Sequence, residues 1–131
     1  MAVESVLLFG GGPGVRPLAL EVGRPLKSSL GRMRVPIRFE LPVSEITLLP
    51  AGASRVAELE LRVAAVDEQG GRSEVPVIPI RLTLPGDPEP GGTAGQETML
   101  ELRRTGNRLA VAVYDPLSGT IWSATAEVRR P

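Results

Sequence analysis

The chain has 131 residues, of which 42% are hydrophobic and 23% charged, and its 15 basic and 15 acidic side chains cancel to a formal charge of zero. That length suits one domain with a single core, and the composition is far from the low-hydrophobicity, high-charge signature of disorder. Balanced charge argues against nucleic acid and anionic membranes as partners. The absence of cysteine and histidine excludes disulfides, thiolate metal sites, cysteine nucleophiles and the Ser-His and Cys-His catalytic arrangements.

From Met1 to Phe9 there is a short apolar core, but Glu4 stands where a signal peptide is basic and no small-residue cleavage site follows. No apolar run approaches the ~20 residues that span a bilayer, so no membrane insertion is expected. Gly10-Gly-Gly-Pro-Gly14 terminates any structure begun before it. Residues 1–16 therefore read as a linker or the remnant of a preceding domain, and residues 17–130 as one domain. The glycines invite comparison with a phosphate-binding turn, but the third glycine of G-x-G-x-x-G would fall at Val15 and no Lys-Ser/Thr pair follows.

Leu18 to Val22 is expected to be a short first strand. Met33, Val35, Ile37, Phe39 and Leu41 then alternate with Arg34, Pro36, Arg38 and Glu40, the period of a half-buried strand. Ile46 and Leu48 mark a short strand after the Leu41-Pro42 break. Leu59, Leu61, Val63 and Ala65 alternate with charged neighbours up to the turn Asp67-Glu-Gln-Gly-Gly71, and Ile78, Ile80, Leu82 and Leu84 share one face of the return strand. Pro76 and Pro79 cannot donate to a ladder, so that strand is expected at a sheet edge or only partly paired. The Pro/Gly-rich stretch over 85–96 predicts a long crossover loop between two sheets. Strands over Thr98–Arg103, Leu109–Tyr114 and Ile121–Val128 follow, joined by the turns at Thr105-Gly-Asn107 and Asp115-Pro-Leu-Ser-Gly119.

The sum of about seven or eight short strands is that of an all-β, immunoglobulin-like (fibronectin type III-like) antiparallel β-sandwich. Its expected core includes Val35, Ile37, Phe39, Leu59, Leu61, Val63, Ile80, Leu82, Leu109, Val111, Val113 and Trp122. Trp122 shares its face with Ala124, Ala126 and Val128, whose small side chains make room for the indole.

Little in the sequence carries chemistry. Glu58 and Glu60 project from one side of a strand, as paired carboxylates of a hydrolase could, but that side is solvated and pairing with arginines across the sheet is the simpler reading. The Asp67 and Asp115 loops lack the carboxylates at alternating positions that a calcium loop uses and read as β-turns. No catalytic, cofactor-binding or metal-binding residue is assigned, and no cofactor is expected. The sequence thus favours a non-catalytic interaction module over two alternatives: a carbohydrate-binding module, which needs a platform of exposed rings from Phe9, Phe39, Tyr114 and Trp122, and a carboxylate-dependent hydrolase.

The stretch from Ala57-Glu-Leu-Glu-Leu-Arg-Val through Val75-Pro-Val-Ile-Pro-Ile80, and Leu109-Ala-Val-Ala-Val-Tyr-Asp-Pro-Leu-Ser-Gly-Thr-Ile-Trp-Ser-Ala124, resemble the C-terminal region of bacterial von Willebrand factor A (vWA) domain-containing or vWA-related proteins. The resemblance runs from about Met33 to Val128. In that family the vWA domain lies upstream and owns a metal-ion-dependent adhesion site built on Asp-x-Ser-x-Ser, a motif this sequence lacks. The resemblance therefore implies a trailing β-sandwich in an extracytoplasmic protein, periplasmic or secreted. Its implied partner is the neighbouring vWA domain of the same polypeptide or another envelope protein.

Overall fold

The computed structural model describes residues 14–89, 91–129 and 131. Of the linker expected over 1–16, residues 1–13, with Gly10 and Gly12, lie outside them, whereas Arg16 already pairs with Trp122. Ten strands follow one another: β1 (Arg16–Pro17), β2 (Ala19–Val22), β3 (Leu26–Lys27), β4 (Arg32–Pro42), β5 (Leu49–Ala51), β6 (Ser54–Asp67), β7 (Arg72–Pro85), β8 (Thr93–Arg103), β9 (Asn107–Tyr114) and β10 (Ile121–Val128). A single 3₁₀ turn over Val43–Glu45 interrupts them between β4 and β5.

The strands form two sheets. One runs β1-β10-β9-β6, with β7 on the far side of β6 and β5 continuing beside β6 beyond the end of β9. The other centres on β4, with β2 and β3 along one side and β8 along the other. All pairings are antiparallel except β1 with β10. The fold is an all-β, immunoglobulin-like sandwich. Leu18, whose N–H donates to the carbonyl of Ser123 at 2.9 Å, is where the chain leaves the first sheet for the second.

Period two drives the packing. Along β4, Met33, Val35, Ile37, Phe39 and Leu41 are all buried to within 1% exposure, whereas Arg32, Arg34 and Arg38 face solvent. Each of the twelve residues expected in the core is buried, and Trp122 is 1% exposed opposite Val113. One cluster joins the inner faces of both sheets, so neither sheet can shed its partner without exposing that cluster.

Pro36 would be out of place in a central strand, since it lacks the N–H a ladder needs. It lies where β2 has ended at Ile37 and β3 has not begun until Arg34, and its carbonyl accepts from Gly23 N at 2.7 Å. The missing donor therefore has no strand opposite it. Among the described residues the proline-bearing β7 pairs only with β6, as its prolines require, and its register slips between Leu61 and Val63.

Two expectations are corrected. The segment around Ile46 and Leu48 is not a strand: Val43–Glu45 forms the 3₁₀ turn, Ile46 is buried at 8% exposure, and pairing resumes only at Leu49. An apolar residue here marks a plug between the sheets and not a pleat. The crossover loop expected over 85–96 is shorter, because Pro85 still pairs with Ser54 and Thr93, Ala94 and Gly95 already pair with β4. The sequence pattern puts Gly95 in the loop, yet a Cβ there would stand 2.3 Å from the carbonyl oxygen of Phe39. Close strand approach explains that glycine.

Candidate functional site

Three connections meet at one end of the sandwich: residues 43–53 between β4 and β6, 86–92 between β7 and β8, and 115–120 between β9 and β10. In immunoglobulin-like sandwiches such an end is where loops can vary without disturbing the core. Its keystone is Asp115, 1% exposed although a carboxylate. One oxygen accepts from the backbone N–H groups of Leu117 at 3.0 Å and Ser118 at 3.4 Å, closing the turn locally. The other accepts from Thr47 N at 2.9 Å, across 68 positions of sequence.

Burial would by itself raise the pKa of this carboxyl. The N–H groups of Thr47 and Leu117, the Thr47 side chain and the Ser118 N–H outweigh that effect and hold it below the ordinary value. Backbone bonds from Asp115 N to Thr120 and from Gly119 N to Asp115 complete the loop, with Gly119 in the left-handed region at φ 77°. Arg16 pairs with Glu45 at the same end. The result is a pinned loop surface on which Leu117 is 57% and Leu49 40% exposed.

The opposite end is tied differently. Asp67 Oδ1 accepts from Gln69 N at 3.0 Å and Gly71 N at 2.7 Å, and Oδ2 lies 3.5 Å from the Arg103 guanidinium. Glu68 accepts from Gly106 N at 3.2 Å, and Asn107 donates to the carbonyls of Arg103 and Thr105. A cleft of about 260 Å³ opens there, lined by groups of both signs including Asp67, Glu68, Arg108, Glu127 and Arg129.

The residues weighed from sequence fall as follows. Glu58 lies 3.9 Å from Arg81 on the facing strand, whereas Glu60 lies 3.4 Å from Arg62 on its own strand. Both aspartate loops are turns whose carboxylate oxygens accept from N–H groups. No group of three or more metal-ligating side chains stands among the described residues. Phe39 and Trp122 are buried, and Tyr114, like Val15, is half-buried against the pair Ala112 and Ile121. Sequence reasoning missed the loop-end bond from Thr47 to Asp115. The Asp-Pro-x-Ser-Gly pattern signals a turn, but nothing local could name Thr47 as its second partner.

No family model matches this sequence, and no curated protein matches it. Among solved structures, the chain is similar to part of a β-glucuronidase from glycoside hydrolase family 2, with 11% identity and a TM-score of 0.54 over 86% of this chain and 11% of that one. It is similar to Northeast Structural Genomics Consortium target SoR45, with 14% identity and a TM-score of 0.52 over 89% of each chain. A Bacteroides uniformis β-glucuronidase aligns with 11% identity and a TM-score of 0.51 over 92% of this chain and 14% of that one. Likeness at such identities is a likeness of fold. The chain spans only a small share of either glucuronidase.

Proposed function

We propose that this chain is a non-catalytic β-sandwich accessory module that trails a vWA-type domain in an extracytoplasmic bacterial protein and makes intramolecular or protein–protein contacts. The observation that carries it is the pinned loop end, where Asp115 holds two connections in one arrangement and leaves Leu117 and Leu49 exposed. Preorganised loops lose little entropy on contact, which suits a docking surface. The resemblance of residues 57–80 and 109–124 to vWA-related C-terminal regions supplies the context. The glucuronidase likenesses fit a sandwich embedded in a larger polypeptide. A ring platform for carbohydrate has less support, since Trp122 and Phe39 lie in the core.

The reading frame around these residues tests the context: an Asp-x-Ser-x-Ser-bearing domain encoded in frame ahead of residue 1 supports it, and a frame without one removes it. The contact surface is tested by hydrogen exchange in that longer protein against the present chain. Slowed exchange over residues 43–53 and 115–120 is expected, and identical exchange there would sink the docking role.

A further inference from the structure

β8 has β4 on one side and, among the described residues, no strand on the other. Its polarity follows from β4. Because the Pro36 carbonyl accepts from Gly23, even-numbered residues of β4 direct their backbone groups to the β2–β3 side and odd-numbered ones to β8. Val35 pairs with Leu100 and Ile37 with Thr98, so the even-numbered residues of β8 serve that ladder. The bonds from Val43 N to Gly92 O and from Arg104 N to Gly31 O obey the same parity at both ends. Thr93, Gly95, Glu97, Met99, Glu101 and Arg103 are left aiming their backbone N–H groups at the open edge. Their carbonyls do likewise, the Arg103 carbonyl being taken by Thr105 and Asn107.

Such an edge is a template for another strand unless it is blocked. β7 carries Pro79 and Pro85, and the edge opposite β8 is broken between β2 and β3. β8 is 11 residues long with no proline, and its outward Met99 is 49% exposed.

We propose that the β8 edge pairs antiparallel with β8 of a second copy of this chain, with Leu100 on the two-fold axis, joining the four-stranded sheets of two sandwiches into one. Charge selects both the occupant and the register. With Leu100 at the centre, Glu97 of each copy faces Arg103 of the other and Met99 faces Glu101. Opposite charges directly across strands are favourable. Centring on Met99 would set Glu97 against Glu101 twice, and centring on Thr98 would gain no ion pair. Arg103 can serve both partners, since its guanidinium has five donors and meets Asp67 at only 3.5 Å.

Sedimentation equilibrium at low salt, from about 10 μM to about 1 mM, is expected to show a monomer–dimer equilibrium. Met99→Pro deletes an N–H that serves only the open edge and spares the β4 ladder, so the variant should keep its circular dichroism and remain monomeric. Independently, Glu97→Arg should weaken the dimer by about tenfold or more, and combining it with Arg103→Glu should restore it. A monomer at every concentration overturns the proposal. So does a dimer that survives Met99→Pro, or a charge exchange that fails to rescue. If Met99→Pro does not fold, the charge exchange decides.

Discussion

The two ends of the sandwich each close a hairpin with an aspartate, and the two aspartates do different things. Asp67 and Asp115 both accept from the N–H two residues ahead, the local bond that makes Asp a turn residue. Each then spends its second oxygen elsewhere. Asp67, its own side chain 7% exposed, meets Arg103, whose side chain is 58% exposed, so water reaches the pair from the guanidinium side. Asp115, itself 1% exposed, meets the backbone N–H of the half-buried Thr47, and that bond crosses between separate connections. The same local chemistry therefore yields a clasp to an exposed guanidinium at one end and an anchor to a distant backbone N–H at the other.

Removing each anchor should expose that difference. Asp115→Ala strips the acceptor from Thr47, Leu117 and Ser118 and leaves the N–H of the half-buried Thr47 without its carboxylate. We expect a loss of about 3 kcal/mol, read as a lowered urea midpoint. A loss no larger than that of Asp67→Ala would abolish the distinction between the ends. Asp115→Asn keeps one acceptor oxygen and removes the charge, so about half of that loss is expected.

Acid should act through the same group. The Asp115 pKa is lowered in the fold, so its contribution is complete above the unfolded value of about 3.9 and is lost as pH falls through the folded value below it. The gap in stability between the wild type and Asp115→Asn should accordingly narrow below about pH 4. A gap independent of pH over that range would mean that the charge contributes nothing.

At the other end, Asp67→Asn keeps an oxygen for Gln69 and Gly71 and loses only the ion pair to the exposed Arg103 guanidinium, a change of about 1 kcal/mol. The smallest effect is expected for Arg103→Met, about 0.5 kcal/mol at protein concentrations too dilute for self-association, read in the same urea titration. An Arg103→Met loss as large as that of Asp115→Ala would show that the Asp67 end is anchored through its ion pair after all.

Much of this architecture was legible one strand at a time. The alternation from Met33 to Leu41 names the buried face of β4, and the prolines of β7 name an edge, because both signals act through the residue's own backbone. Legibility failed where a residue's role depended on a distant neighbour. Ile46 looks like the start of a pleat until the sheets on either side of it are placed. Gly95 looks like loop until Phe39 is beside it. Asp115 looks like any turn aspartate until Thr47 arrives from 68 positions away.

The sequence by itself thus determined the strand periodicity, the turn positions, the core-facing residues and the absence of histidine and cysteine chemistry, since each is a local property of side-chain type and spacing. Only the tertiary structure decided which strands adjoin, where Pro36 escapes the ladder, and which backbone groups of β8 are left facing outward. It also decided which aspartate spends its second oxygen on a distant backbone N–H. Those depend on pairings between segments far apart in the chain, and the hydrogen bonds that encode them involve main-chain groups that every residue carries alike.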